Sequence, residues 1–451
     1  GICMRFDELY SKAIEKYSNK SPSSSKAYTE AKKYMTGGET RSIVFFNPYP
    51  LTIDYGKGAY LYDLDGNKYI DFLNNYTSMI HGHANPNILE AAHKAIDKGV
   101  CYGSAIGEQV ELAKMLCERV PSFERVRFCN SGTEAVLFAI RAANAYTGKS
   151  AIIKMEGCFH GSIDLVEHSI APKLPHPEGD APYQAYPDVM GISENVTKDV
   201  YIAQFNNADS VEDILKEHAD KISAIILEPV MGQTGAIAAK KEFIVRLREL
   251  ADTYKVVLIF DEIQCLRVSY HGAQGMYKVT PDMTTVGKWI GGGYPIAAFG
   301  GKKEIMDVYN PQRPEYIAQS GTFNGNKLGM AAGIVSMRLL SEEAVDYING
   351  LAEELCSGIT DSIKKYNLPV SVACAGSLMH IHFTKNVPTD YASTKNKYSD
   401  YNKLLHIMLL EKGIFAAPRG SMNISTVMTH EDIQRAVMAY DEVFNEIQNI
   451  F

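Results

Sequence analysis

No two of the eight cysteines in this 451-residue chain form a CxxC pair; they stand at Cys3, Cys101, Cys117, Cys129, Cys158, Cys265, Cys356 and Cys374. That absence argues against a zinc ribbon or a thioredoxin-like redox motif, and no metal site is expected. Thiols scattered along a long chain fit a reducing compartment. No apolar run approaches the roughly 18 residues of a membrane span. The opening stretch GICMRFDELYSKAIEKYSNK lacks the apolar core of a signal peptide. The cytosol is the expected location, and the sequons at Asn75, Asn195 and Asn423 read as chance matches. Basic charge is not in excess: 45 Lys and Arg against 53 Asp and Glu leave a net charge of −8. A general nucleic-acid binder, with its basic patch or stripe, is therefore not indicated. Small anionic ligands stay open, because local fields matter more than net charge. There is no internal repeat, and no low-complexity tract beyond Ser21–Ser25.

A composition of 46% hydrophobic and 22% charged residues is ordinary for a globular protein with a large core. The stretch 18–42 reads as a Ser/Pro loop followed by a short amphipathic helix. KGAYLYDLDGNKYIDFL reads as a hairpin turning at Asp65-Gly66. From about Val100 to Gly325, helical stretches alternate with β-branched runs at 151–155, 222–229, 256–262 and 296–301. Strands apolar on both faces predict an α/β fold with a mainly parallel sheet covered by helices. The C-terminal part, with strands in NLPVSVACAGSLMHIHF and GIFAAPRGSMNIST around the helix DYNKLLHIMLLEKG, predicts a smaller α+β domain.

Five short segments draw attention. In VLIFDEI an apolar strand ends in Asp261 and Glu262. Ligands gather beyond the carboxyl ends of such strands, although an acid there also serves as a cap or turn former. In TTVGKWIGGG a single lysine, Lys288, precedes Trp289, Ile290 and three glycines, where backbone can approach a ligand closely. In NSGTEA, Ser131, Gly132 and Thr133 open a long helix, with Ser131 and Glu134 at capping-box spacing. They cap the helix, and free N–H groups and hydroxyls there also suit a phosphate. In MEGCFHGS, Phe159 and His160 follow a strand and reach the same sheet edge, or else fill the core; SGTFNGN is a further hydroxyl and glycine turn before a helix.

A phosphate cradle, an aromatic face, a carboxylate and a lysine are together what pyridoxal phosphate requires. The lysine amine condenses with the cofactor's aldehyde, and the acid keeps the ring nitrogen protonated so that the ring accepts electrons. At this point VVLIFDEI, TTVGKWIGGGYPIAAFGG, NSGTEA and SGTFNGN resemble the class III pyridoxal-phosphate aminotransferases of fold type I, from about Gly37 to Thr429. Within that class the chain is similar to the β-amino-acid (β-phenylalanine-type) aminotransferases and to glutamate-1-semialdehyde aminomutase.

The resemblance implies a large domain with a mainly parallel, seven-stranded-type sheet and a smaller α+β domain drawn from both termini. Residues 1–99 form the N-terminal segment and part of the small domain, 100–328 the large cofactor-binding domain, and 329–451 the rest of the small one. It implies Lys288 as the Schiff-base lysine and proton shuttle, Asp261 on the pyridinium nitrogen, Ile263 under the ring and Phe159 stacked on its other face. Many relatives carry Tyr at that last position. His160 and Glu228 lie near the cofactor, and Ser131, Gly132 and Thr133 hold the phosphate. Thr322 reaches the phosphate of the other subunit, which implies a homodimer with shared sites.

For the substrate, TRSIVFFNPYPLTI and PRG are runs shared with the β-amino-acid aminotransferases, which implies carboxylate contacts for Arg41 and Arg419. Two arginines fit one pocket that takes a β-amino acid donor and a 2-oxo acid acceptor, such as 2-oxoglutarate or pyruvate, in turn; guanidinium binds carboxylate in a planar fork. Tyr76 and Tyr102 are candidates for the side-chain pocket. Gln264 and Cys265 after the acids depart from both subgroups; Ser421 and Asn423 stand after PRG where β-phenylalanine-type relatives carry bulkier apolar residues, which points to a more polar region there and a preferred side chain other than phenyl. Two other readings stay open: intramolecular amine transfer of the aminomutase kind, and a catalytically degenerate binding protein, which would be expected to lack Lys288 or Asp261.

Overall fold

The computed structural model describes residues 2–173 and 181–451. The chain falls into two compact units. One comprises residues up to Asn85, Ile348–Val387 and Lys395–Phe451; the other comprises Pro86–Tyr347 and Pro388–Thr394. The expected divisions at 99/100 and 328/329 thus differ from the observed ones, because the helices Pro86–Asp97 and Lys327–Leu339 pack against each other inside the larger unit.

The larger unit is built on a seven-stranded sheet. Its strands run in the order Arg125–Cys129, Ala297–Gly301, Met283–Val286, Val257–Asp261, Ile222–Leu227, Ala151–Met155 and Val200–Ala203. All are parallel except Ala297–Gly301, which runs antiparallel to both neighbours. Every residue of Ala151–Met155, Ile222–Leu227, Val257–Asp261 and Met283–Val286 is buried. Helices cover such strands on both faces, so apolar runs replace alternation. Each Ile, Val, Leu or Phe removed from water contributes about 1.5–3 kcal/mol. The helix Gly132–Thr147 packs its Ala135, Val136, Ala139 and Ile140 into this core.

The smaller unit holds a four-stranded sheet, Ile53–Lys57, Tyr60–Asp63, Lys68–Asp71 and Ile414–Phe415, and a three-stranded one, Ser371–Ala375, Leu378–His382 and Ser421–Asn423. The Asp65-Gly66 hairpin forms between Tyr60–Asp63 and Lys68–Asp71. Gly66 takes φ 80°, and the Asp63 carboxylate accepts the N–H groups of Asp65 and Asn67 at 3.0 and 2.9 Å. The Ser/Pro stretch expected as a loop is instead the first turn of the helix Pro22–Ala31. Proline suits that place because its missing N–H has no intrahelical partner to lose. Tyr17, Tyr49 and Tyr69 fill an aromatic core with Ile407 and Leu410.

Candidate active site

In the larger unit, the parallel strands end together at one edge of the sheet. Asp261 closes Val257–Asp261, Glu228 follows Ile222–Leu227, Phe159 and His160 follow Ala151–Met155, Lys288 follows Met283–Val286, and Ser131 follows Arg125–Cys129. Segments scattered over more than 150 positions of sequence are therefore gathered by strand order alone.

Asp261 is 3% exposed. One of its oxygens accepts the Thr285 hydroxyl and the Ile263 N–H, each at 3.1 Å; the other meets His160 Nδ1 at 2.8 Å. A carboxylate has about four acceptor positions, so room for a further donor remains. His160 is fully buried and its pKa lies below the ordinary value, because burial outweighs the pull of Asp261. It is therefore a neutral imidazole donating Nδ1–H to a carboxylate. Its buried Nε2 has no hydrogen-bond partner among the described residues.

Glu228, also buried, accepts Phe159 N–H and Gly232 N–H, both at 2.7 Å. Burial, and then the charge of Asp261, push its carboxyl up to about 8. Gln264 lies over Gly232, where a Cβ would overlap its carboxamide. Cys265 is buried, with its Sγ 3.8 Å from the Asp261 carbonyl.

Lys288 is half-buried and takes φ 55°, a left-handed conformation that costs a non-glycine residue about 1–2 kcal/mol. Its neighbours hold it there. Trp289 is 1% exposed, the Trp289 carbonyl accepts the Ser336 hydroxyl at 2.5 Å, and Gly292 (φ 65°) is pressed against the Ala332 carbonyl, where a Cβ would sit at 2.7 Å.

At the helix start, Ser131 Oγ accepts Glu134 N–H at 3.3 Å, while the Glu134 carboxylate takes the N–H of Asn130 and the Ser131 hydroxyl at 3.1 and 3.0 Å. A Cβ on Gly132 would stand 2.8 Å from the terminal Ile263 methyl, so any larger residue at the helix start would have to push that side chain aside. Thr133 Oγ1 accepts Ser162 N–H at 3.2 Å. The SGTFNGN turn is tied in by Asn130 Nδ2, which donates to Asn324 Oδ1 at 3.0 Å; Thr322 stands exposed within that turn. Tyr102 is half exposed, and its hydroxyl donates to the carbonyls of Gly99 and Lys98.

In the smaller unit, Arg41, Tyr76 and Arg419 come together. The guanidinium carbons of Arg41 and Arg419 lie 5.1 and 5.7 Å from the Tyr76 ring centroid. Burial raises the Tyr76 phenol against the opposing pull of both arginines. The ring is presented by an uncommon turn: Asn74, Asn75, Tyr76 and Thr77 all have positive φ, between 47° and 78°. Several clasps over-determine it. Asp71 accepts Asn74 N–H at 2.8 Å, Asn74 Nδ2 donates to Asn423 Oδ1 at 3.1 Å, and Tyr76 donates to the Ile43 carbonyl at 3.1 Å. Asn423 is thus a buried clasp; its side chain also donates to the Leu73 carbonyl at 2.8 Å.

Sequence reasoning missed Thr285 and Asn74. Thr285 is the parallel-register neighbour of Asp261, a relationship that only the strand pairing reveals. The Asn74-Asn75 dipeptide was the available signal for a left-handed turn, since Asn tolerates positive φ.

The sheet topology, with a buried acid, a strained lysine and a helix start at one edge, defines a fold type I pyridoxal-phosphate enzyme. The Aminotransferase class-III family profile matches residues 46–449, and the chain belongs to that family. It is 39% identical over 427 residues to glutamate-1-semialdehyde 2,1-aminomutase 2 of Lachnoclostridium phytofermentans, covering 93% of this chain and 98% of that one. Among solved structures it is similar to an ω-transaminase from Sphaerobacter thermophilus (37% identity, TM-score 0.91, 94% and 98% of the two chains). It is also similar to a β-phenylalanine aminotransferase from Variovorax paradoxus (31%, TM-score 0.89, 97% of each).

Proposed function

We propose that this aminotransferase moves an amino group from a β-amino acid to a 2-oxo acid such as 2-oxoglutarate or pyruvate. The observation that carries the reading is the pair of guanidiniums, Arg41 and Arg419, set on one tyrosine ring. The carboxylate of a β-amino acid lies one carbon further from the reacting C–N bond than that of an α-amino acid. Two cations on separate segments accommodate both positions.

The residues of the larger unit fit pyridoxal phosphate. Ser131, Gly132 and Thr133 would hold its phosphate at the helix start, and Phe159 and Ile263 would cover the two faces of its ring. Glu228 sets Phe159 by taking its N–H. Asp261 would keep a proton on the ring nitrogen, and His160 with Thr285 fixes the direction in which that carboxylate points. When bound, the cofactor supplies a sink for the electrons left on the substrate carbon. Lys288 would hold the cofactor covalently and carry the proton to and from that carbon. Thr322 would reach the phosphate of a second copy in a homodimer. The seven cysteines from Cys101 to Cys374 are free and scattered, which supports reading the enzyme as cytosolic.

A second reading has its own support. Relatives 35–39% identical over nearly the whole chain carry the name glutamate-1-semialdehyde 2,1-aminomutase, and an aminomutase returns the amine to the molecule it came from. A panel of α-, β- and ω-amino acids, each with 2-oxoglutarate or pyruvate, separates the two. Turnover that needs both a β-amino acid and a 2-oxo acid supports transfer; turnover of glutamate-1-semialdehyde alone supports the mutase.

A further inference from the structure

The helix Gly107–Arg119 buries Leu112 and Leu116 on one stripe, and the next position of that stripe holds not an apolar residue but Arg119. Arg119 is 4% exposed. Burial lowers its pKa to about 10, so it stays charged at neutral pH, and no Asp or Glu pairs with it among the described residues. What it meets is backbone and rings. Nε donates to the Tyr270 carbonyl at 2.8 Å and Nη1 to the Met337 carbonyl at 3.2 Å. The guanidinium carbon lies 3.9 Å from the Tyr270 ring centroid and 5.3 Å from that of Trp289, within reach of a cation–π attraction in both cases. The Arg119 carbonyl in turn accepts His271 Nδ1–H at 2.8 Å.

These contacts converge on the segment that follows Lys288. Met337 lies in the last turn of the helix Lys327–Leu339, where carbonyls run out of intrahelical partners and favour a cation. One turn earlier the same helix presses on Trp289 and Ile290. A Cβ on Gly333 would collide with the Ile290 carbonyl, and Ser336 Oγ donates to the Trp289 carbonyl at 2.5 Å. Gly333 and Met337 are four residues apart, so the end that Arg119 ties down and the face against Ile290 belong to one side of the helix. Trp289 is thus held at its ring by a cation and at its carbonyl by a hydroxyl. Lys288 depends on such support, because φ 55° is disfavoured for lysine.

We propose that Arg119 is a positioning residue for Lys288: it ties the Tyr270 carbonyl, the end of the helix Lys327–Leu339 and the Trp289 ring into one clasp that keeps the lysine in its left-handed conformation. The inference rests on the reading of Lys288 as the residue that binds the cofactor covalently. A guanidinium suits the task, because one planar fork serves two carbonyls while its face lies against rings; an ammonium does not match that geometry.

The test uses the full chain and pyridoxal phosphate itself, in the parent, Arg119→Met and Arg119→Lys. Covalent capture is the rate at which borohydride-stable label appears on Lys288 after the cofactor is added to cofactor-free protein, read by peptide mapping. Noncovalent binding is the Kd of the cofactor in Lys288→Ala, with and without Arg119→Met. Arg119→Met should slow labelling of Lys288 about tenfold, the effect of one lost hydrogen bond from a charged group. The Kd in the Lys288→Ala background should move less than about twofold, because the effect passes through the lysine. Arg119→Lys keeps the charge without the fork and should also label slowly. An unchanged labelling rate in Arg119→Met, or full recovery in Arg119→Lys, would overturn the clasp. So would a Kd in the Lys288→Ala background weakened as much as the labelling rate, since Arg119 would then support the whole site rather than the lysine. Label on a different lysine in the parent would instead defeat the reading of Lys288. If Arg119→Met does not fold, the labelling rate of Arg119→Lys decides alone.

Discussion

His160 Nδ1 and Asp261 Oδ2 stand 2.8 Å apart at the carboxyl edge of the sheet, with both side chains buried. A neutral imidazole is therefore a fixed donor to the acid proposed to hold the cofactor's ring nitrogen. Asp261→Asn removes that acid's charge and should cost orders of magnitude in kcat. His160→Ala removes one hydrogen bond to a charged group, about 1.5–3 kcal/mol, and should lower kcat about ten- to hundredfold. Steady-state kinetics of the two variants checks the order: a His160 variant more damaged than Asp261→Asn would contradict the assignment.

Lys288 is assigned the covalent bond to the cofactor. Lys288→Ala should lose amino transfer, while cofactor still binds through its phosphate. Borohydride treatment of the parent followed by peptide mapping should label Lys288; a label on another lysine refutes the role.

Asn74 holds the left-handed turn beneath Tyr76. Asn74→Ala loses its clasp on Asn423 and places alanine at φ 50°. The two effects together should destabilise the chain by about 2–3 kcal/mol. Denaturant unfolding measures this, and a change below about 0.5 kcal/mol would mean that Asn74 does not hold the turn.

Burial pushes the Glu262 carboxyl up to about 7 from 4.5, against the hydrogen bonds from Ala273 and Gln274 that lower it. The folded chain therefore binds a proton at Glu262 that the unfolded chain has already released. Its contribution to stability is greatest below about pH 4.5 and declines as pH rises towards about 7. Glu262→Gln should be less stable overall, since Glu262 accepts Gln274 Nε2 at 2.6 Å. Its Tm should also fall less between pH 5 and pH 8 than that of the parent. An identical pH slope in the two proteins would contradict the raised pKa.

Much of this was legible in the sequence. The runs Ala151–Met155 and Val257–Asp261 are bounded by turns and rich in β-branched residues, and they form strands within a residue of the expected ends. Asp261, Lys288 and the helix start at Ser131 carry local signals in the form of a strand end, a glycine run and a capping pattern. What was not legible depends on pairing. Thr285 lies beside Asp261 only because two strands run parallel in one register. Ser421 meets His380 only across an antiparallel pair. The helix at Pro22 was misread because a Ser/Pro stretch has the composition of a loop and differs from one only by where its proline falls.

On the proposed reading an amino group passes between two molecules, from a β-amino acid to a 2-oxo acid. The most direct measurement incubates the cofactor-loaded enzyme with nitrogen-15-labelled β-amino acids and unlabelled 2-oxoglutarate, and follows the label by mass spectrometry. Labelled glutamate should form only when both substrates are present, and should be lost in Lys288→Ala. No label transfer from any β-amino acid, together with rapid rearrangement of glutamate-1-semialdehyde in the absence of a 2-oxo acid, would contradict it.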